Sequence, residues 1–189
     1  MSPYVRRLRK SIGHDLLLLP AVSVLPRDTE GRILLVRQAD SGQWATIGGS
    51  IEVDEDPATA AVREAEEEAG ITIELTRLVT AHGGPQFRMT YPNGDQVSYV
   101  SIVYEAQAVA GEPAPDHDET VEVGWFDPDE LRDLDLGDFA RHTFVALGHL
   151  TLGDRTATQG VRDLRRAYDA KADVREAMAE CLWKQDERE

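Results

Sequence analysis

The chain has 189 residues, 41% of them hydrophobic and 29% charged, and its 20 Lys and Arg against 35 Asp and Glu give a formal net charge of −15. That length suits one domain with or without an appendage, and the composition excludes a fibrous, membrane-spanning or wholly disordered chain. The acidity argues against a nucleic-acid polymer as partner, because such a partner needs a basic footprint.

The charge is unevenly placed. Residues 1–16 carry a net +3, residues 155–189 a net 0, and residues 17–154 a net −18. A field of that sign repels a phosphate ligand unless cations intervene. Residues 1–15 read as an N-terminal extension, a basic and solvated amphipathic segment. RRLRK before LLLLPAVSVL imitates a signal peptide, but Asp15 interrupts it and no small-residue cleavage site follows. No apolar run reaches the roughly 20 residues that span a bilayer, so no membrane partner is expected. The single cysteine, Cys181, has no internal partner, which predicts a reducing, cytoplasmic setting.

The main domain is expected over residues 16–154. Leu16 to Leu25 and Ile33 to Val36 predict two strands around the turn residues Asp28-Thr29-Glu30-Gly31. Gly48-Gly49 breaks regular structure, and Asp56-Pro57 predicts a helix start, with Asp as cap and Pro in the first turn. That helix is expected to run from Pro57 to Ala69 and to stop at Gly70. Ile71 to Val79, Arg88 to Tyr91 and Val97 to Val109 read as strands, the last two joined by the hairpin signal Pro92-Asn93-Gly94-Asp95. Val121 to Phe126 reads as another strand, Asp127-Pro128 as the cap of a short helix, and Asp138 to Leu150 as a further helix. In the tail, 155–189, Val161, Leu164, Tyr168, Val174, Met178 and Leu182 recur at helical spacing. The tail is therefore expected to be helical, its apolar stripe serving packing or homodimerisation. Strands, a helix, more strands and then helices make an α/β protein with a mixed sheet between helices.

The acids of the central helix are grouped. At about 100° per residue, Ala58, Ala61, Val62, Ala65 and Ala69 share an arc that should face the core, and Glu64, Glu67 and Glu68 lie together about 130° away. A solvated acidic face would account for the helix taken alone. Three clustered carboxylates nevertheless repel one another, and Arg63, beside Glu67, balances only part of that charge. A hard divalent cation with oxygen ligands, Mg²⁺ or Mn²⁺, completes the set.

Reading outward, Gly49 is followed after five residues by Glu55, and after seven more by Arg63-Glu64-Ala65-Glu66-Glu67-Glu68-Ala69-Gly70-Ile71. This spacing resembles the signature of the Nudix hydrolase family, and in particular its MutT-like and ADP-ribose pyrophosphatase-like members. Every invariant position matches. The departures are Ala65, usually a larger aliphatic residue, Ile47, commonly Pro, and Asp54, often Gly. The resemblance extends from about Leu16 to Leu136 and includes Trp44 and the run Glu122-Val123-Gly124-Trp125-Phe126.

The resemblance implies an α/β/α sandwich in which the motif forms a loop, a helix and a loop. It implies that the Gly48 carbonyl and the carboxylates of Glu67 and Glu68 hold metal, that Glu64 is a further ligand or the catalytic base, that Arg63 orients a neighbouring carboxylate, and that Glu55 supports the loop or a second metal. Family members often take one more acid from a distant loop. Of Asp116, Asp118, Glu119 and Glu122, Glu119 is the choice, because Glu122 falls in a predicted strand.

Other residues carry weaker signals. His14, His82, His117, His142 and His149 lack metal-ligand spacing and read as structural or exposed. Trp44 and Trp125 read as packing residues, and Phe87, Tyr91 and Tyr99 as alternative platforms for stacking a base. Pro85 lies near the point past the motif where ADP-ribose-cleaving members often carry a proline. The implied partner is a small-molecule nucleotide. The reaction expected is Mg²⁺-dependent cleavage of a pyrophosphate bond in a nucleoside diphosphate linked to another moiety, such as ADP-ribose or a sugar nucleotide. The alternatives are a triphosphate pyrophosphohydrolase that clears modified nucleotides and a non-hydrolytic nucleotide-binding regulator. Isomerisation of a prenyl diphosphate would call for a reactive cysteine near the site, and Cys181 lies in the tail.

Overall fold

Asp28 makes the first turn. Its Oδ1 accepts the amides of Glu30 and Arg32, both at 2.9 Å, and the chain reverses between strand β1 (Leu17–Arg27) and strand β2 (Ile33–Gln38). In the computed structural model, which describes residues 2–91 and 93–151, both strands lie in a seven-stranded mixed sheet. The expected tail helices at 155–189 lie outside the described residues.

The two strands touch at Arg27 and Ile33 and then part. Strand β1 runs parallel to β6 (Gln96–Ala110), which also pairs antiparallel with β4 (Thr72–His82) and β5 (Arg88–Thr90). Strand β2 pairs antiparallel with β7 (Thr120–Phe126). The gap between β1 and β2 is filled by one segment. It pairs with β2 as β3 (Trp44–Ala45), then crosses to β1 through bridges at Val24↔Ile47 and Ala21↔Ser50. Gly48 and Gly49 are thereby laid along the middle of β1.

Helix α2 (Pro57–Ala69) has the bounds its sequence predicts. Asp56 accepts the amides of Ala58 and Thr59, both at 3.0 Å, and Gly70 ends the helix at φ 66°, its amide returning to Glu66. The helix covers one face of the sheet, where Ala60, Ala61, Ala65 and Ala69 meet Val22, Val24, Leu34, Val36 and Ile47. Helix α3 (Asp138–Ala146) covers the other, with Phe144 against Leu25, Ile33, Leu35 and Val103. This gives the helix, sheet, helix layering that the sequence resemblance implies.

Four details differ from expectation. The buried arc of α2 comprises Ala60, Ala61, Glu64, Ala65, Glu68 and Ala69, while Ala58 and Val62 are only half-buried. It is turned by about 60° from the arc of small apolar residues, which brings Glu64 and Glu68 into its middle. Residues 3–12 are not simply a solvated segment but form helix α1 (Pro3–Ile12), which buries Val5 against Leu19 and Val97. Arg9 fastens this helix through the carbonyls of Gly13, Asp15 and Gln96. The helix expected after Asp127 is one 3₁₀ turn at Glu130–Arg132, and the Asp127 amide is itself held by the Glu130 carboxylate at 2.8 Å. Finally, α3 ends at Ala146 rather than Leu150, because Gly148 takes φ 77° and the amides of His149 and Leu150 both return to the Phe144 carbonyl.

Candidate active site

Arg63 is the hub of the site. It points off α2 toward the loop before the helix, where Nε and Nη2 meet Glu55 Oε1 and Oε2 at 2.7 and 2.9 Å. Its Nη1 is shared by Glu64 at 2.8 Å and Glu67 at 2.9 Å, and Nη2 also reaches the Ser50 carbonyl at 3.2 Å. One planar cation thus gathers three carboxylates, as the fork of an arginine allows and a lysine would not. Glu55 also accepts the Glu52 amide at 2.9 Å, which folds the loop back on itself.

Beside this hub the glycine pair meets α2. The Gly48 amide donates to Glu68 Oε2 at 2.9 Å, while the carbonyls of Ile47 and Gly49 on either side are taken by the amides of Val24 and Val22. A β-carbon on Gly49 would stand 2.6 Å from Glu64 Oε1, and one on Gly48, at φ 145°, would stand 2.2 Å from the Val22 carbonyl oxygen. Only glycine lets the sheet come this close to the helix carboxylates. The motif's departures fit this packing. Ala65 is fully buried, as a close helix approach requires, and Asp54 has φ 67°, a conformation that favours the glycine often found there in the resembling family.

Burial separates the acids. Glu64 and Glu68 are each 7% exposed, whereas the Glu67 side chain is 58% exposed. Burial raises the Glu64 carboxyl above its ordinary range, with Arg63 opposing that rise. Burial pushes the Glu68 carboxyl up to about 8, against the Gly48 amide, and the neighbouring charges of Glu64, Glu119 and Asp116 add to the rise. Glu55 goes the other way, held below its usual range first by its hydrogen bonds to Arg63. The same three acids raise the Arg63 guanidinium further. The site is therefore short of positive charge on its Glu64 and Glu68 side.

Glu119 lies on an exposed loop on that side, near enough to both Glu64 and Glu68 to repel them. The loop is built by Asp116, whose Oδ1 accepts the amides of Asp118, Glu119 and Thr120 at 3.1, 3.1 and 2.8 Å. Thr120 Oγ1 then donates to the Glu68 carbonyl at 2.9 Å and ties the loop to α2. Glu122 is engaged elsewhere, with Arg37 at 3.1 Å on the neighbouring strand. Among the described residues, no three Asp, Glu, His or Cys side chains already converge as a metal cage. The donor set still fits a hard divalent cation, because two buried carboxylates lack sufficient counter-charge and every nearby donor is oxygen.

The sequence reading did not find Ser50 or Thr120, which fix the motif through a carbonyl and a hydroxyl and carry no residue-type signal for doing so. The aromatic candidates are committed to protein contacts. Phe87 is buried and stacked on His82 at 4.3 Å, with Phe139 edge-on at 5.0 Å. Pro85 opens the 3₁₀ turn that sets Phe87 there. Trp44 packs edge-on against Phe126 at 4.7 Å, Trp125 packs against the α2-side core, and Tyr91 and Tyr99 join their hydroxyls at 2.7 Å. His14 pairs with Asp95 at 2.7 Å and His142 with the Asp138 carbonyl at 2.7 Å.

Comparison with known proteins agrees with this geometry. A family model described as the NUDIX domain matches residues 17–147. The chain is 30% identical over 131 residues to a MutT-like protein of Streptomyces ambofaciens, covering 69% of this chain and 77% of the relative. It is 33% identical over 108 residues to an ADP-ribose pyrophosphatase of Bacillus subtilis (strain 168), covering 54% of this chain and about half, 55%, of that enzyme. Among solved structures, a MutT NUDIX hydrolase from Burkholderia pseudomallei superposes with a TM-score of 0.57 at 29% identity, covering 71% of this chain and 99% of that one.

Proposed function

The chain belongs to the Nudix family, and on that premise we propose that it is a Mg²⁺-dependent hydrolase of a pyrophosphate bond in a nucleoside diphosphate linked to another moiety, of the ADP-ribose or sugar-nucleotide kind. The observation that carries the reading is the pair of buried carboxylates, Glu64 and Glu68, pressed against Gly48-Gly49 with Arg63 beside them. A family member that only bound nucleotide would have no use for two such buried acids, whose charge costs free energy in the absence of a cation.

The Gly48 carbonyl and the carboxylates of Glu67 and Glu68 are assigned to the cation, with Glu55 and Glu119 at its margin. A cation held by these residues would supply charge neutralisation for the diphosphate and would make the attacking water easier to deprotonate. Glu64 is assigned to accept a proton from the attacking water or to act as a further ligand. A correctly positioned carboxylate base is worth about 10² to 10⁴ in rate. Arg63 fixes where Glu64 points and keeps Glu55 and Glu67 from repelling it. The setting assigned to the protein is the cytoplasm. The described residues contain no helix long and apolar enough to cross a membrane.

The test is a substrate panel with Mg²⁺: ADP-ribose, sugar nucleotides, dinucleoside polyphosphates and oxidised nucleoside triphosphates, with products separated by ion-exchange chromatography. Turnover of ADP-ribose or a sugar nucleotide to two monophosphates is the expected result. Release of inorganic pyrophosphate from a triphosphate alone would move the assignment to the triphosphate pyrophosphohydrolase. Tight binding with no turnover of any member would make the protein a nucleotide-binding regulator.

A further inference from the structure

His82 ends β4 and meets α3 with its ring. The ring stacks on Phe87 at 4.3 Å with 12° between the planes. Phe139 of α3 stands edge-on to both rings, 6.0 Å from His82 and 5.0 Å from Phe87. Nε2 of His82 lies 3.3 Å from Thr143 Oγ1 on α3, and Nδ1 is buried with no partner among the described residues. These contacts place the proton of the neutral ring. Thr143 Oγ1 has one hydrogen, which it donates to the Phe139 carbonyl at 3.0 Å, so towards His82 the hydroxyl accepts and Nε2 donates. Nδ1 is left as a bare lone pair. The other tautomer would bury an N–H at Nδ1 with nothing to accept it, and is disfavoured on that side as well.

A second proton on the ring has to go to Nδ1. The charged ring would keep an attraction to the Phe87 face, but it would also hold an unpaired buried N–H and an ion deprived of water. The titratable groups that face it add no help. The 3₁₀ turn Pro85–Phe87 has none, β6 brings Tyr99, a neutral phenol whose ring is 6.2 Å from Phe139, and α3 brings His142, whose charge opposes one on His82. Burial first, and His142 after it, hold the His82 imidazole below its ordinary range.

We infer that His82 is an acid-sensitive lock on α3: the neutral ring fastens Phe139 and Thr143 to the end of β4 and to Phe87, and a proton on Nδ1 releases them. The opened form takes up a proton with ordinary affinity, near pH 6.5, and the locked form with less. The lock is therefore fully stable above about pH 6.5 and weakens as pH falls below it, down to the lower value of the locked form. This device lies on the face of the sheet opposite α2 and does not depend on the hydrolysis proposed above.

Nitrogen-detected NMR of the imidazoles in the full-length protein reads the lock without any variant. At pH 8 the His82 proton should sit on Nε2, and the ring should stay neutral to below about pH 6.5. Hydrogen exchange of the α3 amides, corrected for the intrinsic rate, should speed up by as much as about tenfold per pH unit below that point, while exchange in α2 does not follow. His82→Phe keeps a ring on Phe87 and takes no proton, and His82→Leu stands in if the larger ring overfills the space; either should abolish the acid response of α3. A proton on Nδ1 at pH 8, or a His82 midpoint at or above about 6.5, would overturn the inference. So would an acid response of α3 that persists in both variants, which would pass the role to His149, edge-on to Phe144 at 6.0 Å.

Discussion

Arg63 closes on Glu55 with one whole edge of its guanidinium, Nε to Oε1 at 2.7 Å and Nη2 to Oε2 at 2.9 Å. The pair spans the loop that begins at Ser50, so the arginine clamps that loop to α2 while its remaining nitrogen holds Glu64 and Glu67. Replacing Arg63 by Ala releases all three acids at once. Hydrolysis is expected to fall by about 10² or more, and Arg63→Lys to recover little, since an ammonium cannot make the parallel pair. Steady-state rates for the two variants check this, and near-complete recovery by Lys would contradict the clamp.

The two glycines should respond differently to the same methyl group. In Gly49→Ala the new carbon meets the Glu64 carboxylate, which is the end of a side chain and can swing away. Activity should drop sharply while the melting temperature falls little. In Gly48→Ala the carbon meets the Val22 backbone oxygen at φ 145°, where nothing can yield cheaply. Strain of about 1–3 kcal/mol is expected there, enough to lower the melting temperature by several degrees. Thermal denaturation beside rate measurements separates the two.

Helix α2 was legible to the residue because its signals are local: an Asp cap, a Pro in the first turn and a Gly that adopts φ 66°. The facing of that helix was not. An arc drawn through its small apolar residues leaves Glu64 and Glu68 outside the core, whereas the structure buries both, since the glycine pair opens space for carboxylates against the sheet. Helix α1 was missed although its caps are local, Ser2 before Pro3 and Gly13 after Ile12; only part of what anchors it, Gln96 and Asp95 for Arg9 and Val97 for Val5, lies more than eighty residues away. The motif spacing marked Glu55, Arg63, Glu64, Glu67 and Glu68, but Ser50 and Thr120 act through groups that many residues possess.

Glu105 gives an acid-sensitive contribution to stability away from the site. Burial alone would raise its carboxyl, but hydrogen bonds from Arg77 at 2.7 Å and Arg27 at 3.3 Å outweigh burial and hold it below its usual range. A depressed carboxyl stabilises the fold above the unfolded-state value of about 4.3, and that stability is lost as pH falls through the lower folded-state value. Glu105→Gln should therefore melt at a lower temperature than the parent at pH 7, and the difference should close progressively below about pH 4. Melting curves across that range test it, and a gap that persists unchanged at low pH would assign the effect to packing.

Glu67 and Glu68 belong to the same assigned cation site, yet their Gln variants should differ without metal. Glu67 is largely exposed and shares Arg63 with Glu64, so Glu67→Gln should leave the melting temperature of the metal-free protein close to its starting value. Glu68 is buried among like charges, and Glu68→Gln removes a group that is costly to ionise there while the amide oxygen can still accept from Gly48. The metal-free protein should then melt at the same temperature or slightly higher. Both variants should lose Mg²⁺-dependent hydrolysis, and both should lose most of the rise in melting temperature that Mg²⁺ gives the parent, because a ligand that binds only the folded chain stabilises it in proportion to its occupancy. Scanning calorimetry with and without Mg²⁺ reads all of these quantities. A Glu68→Gln protein that keeps the full Mg²⁺-induced rise would remove Glu68 from the ligand set and shift the cation toward Glu64, Glu67 and Glu119.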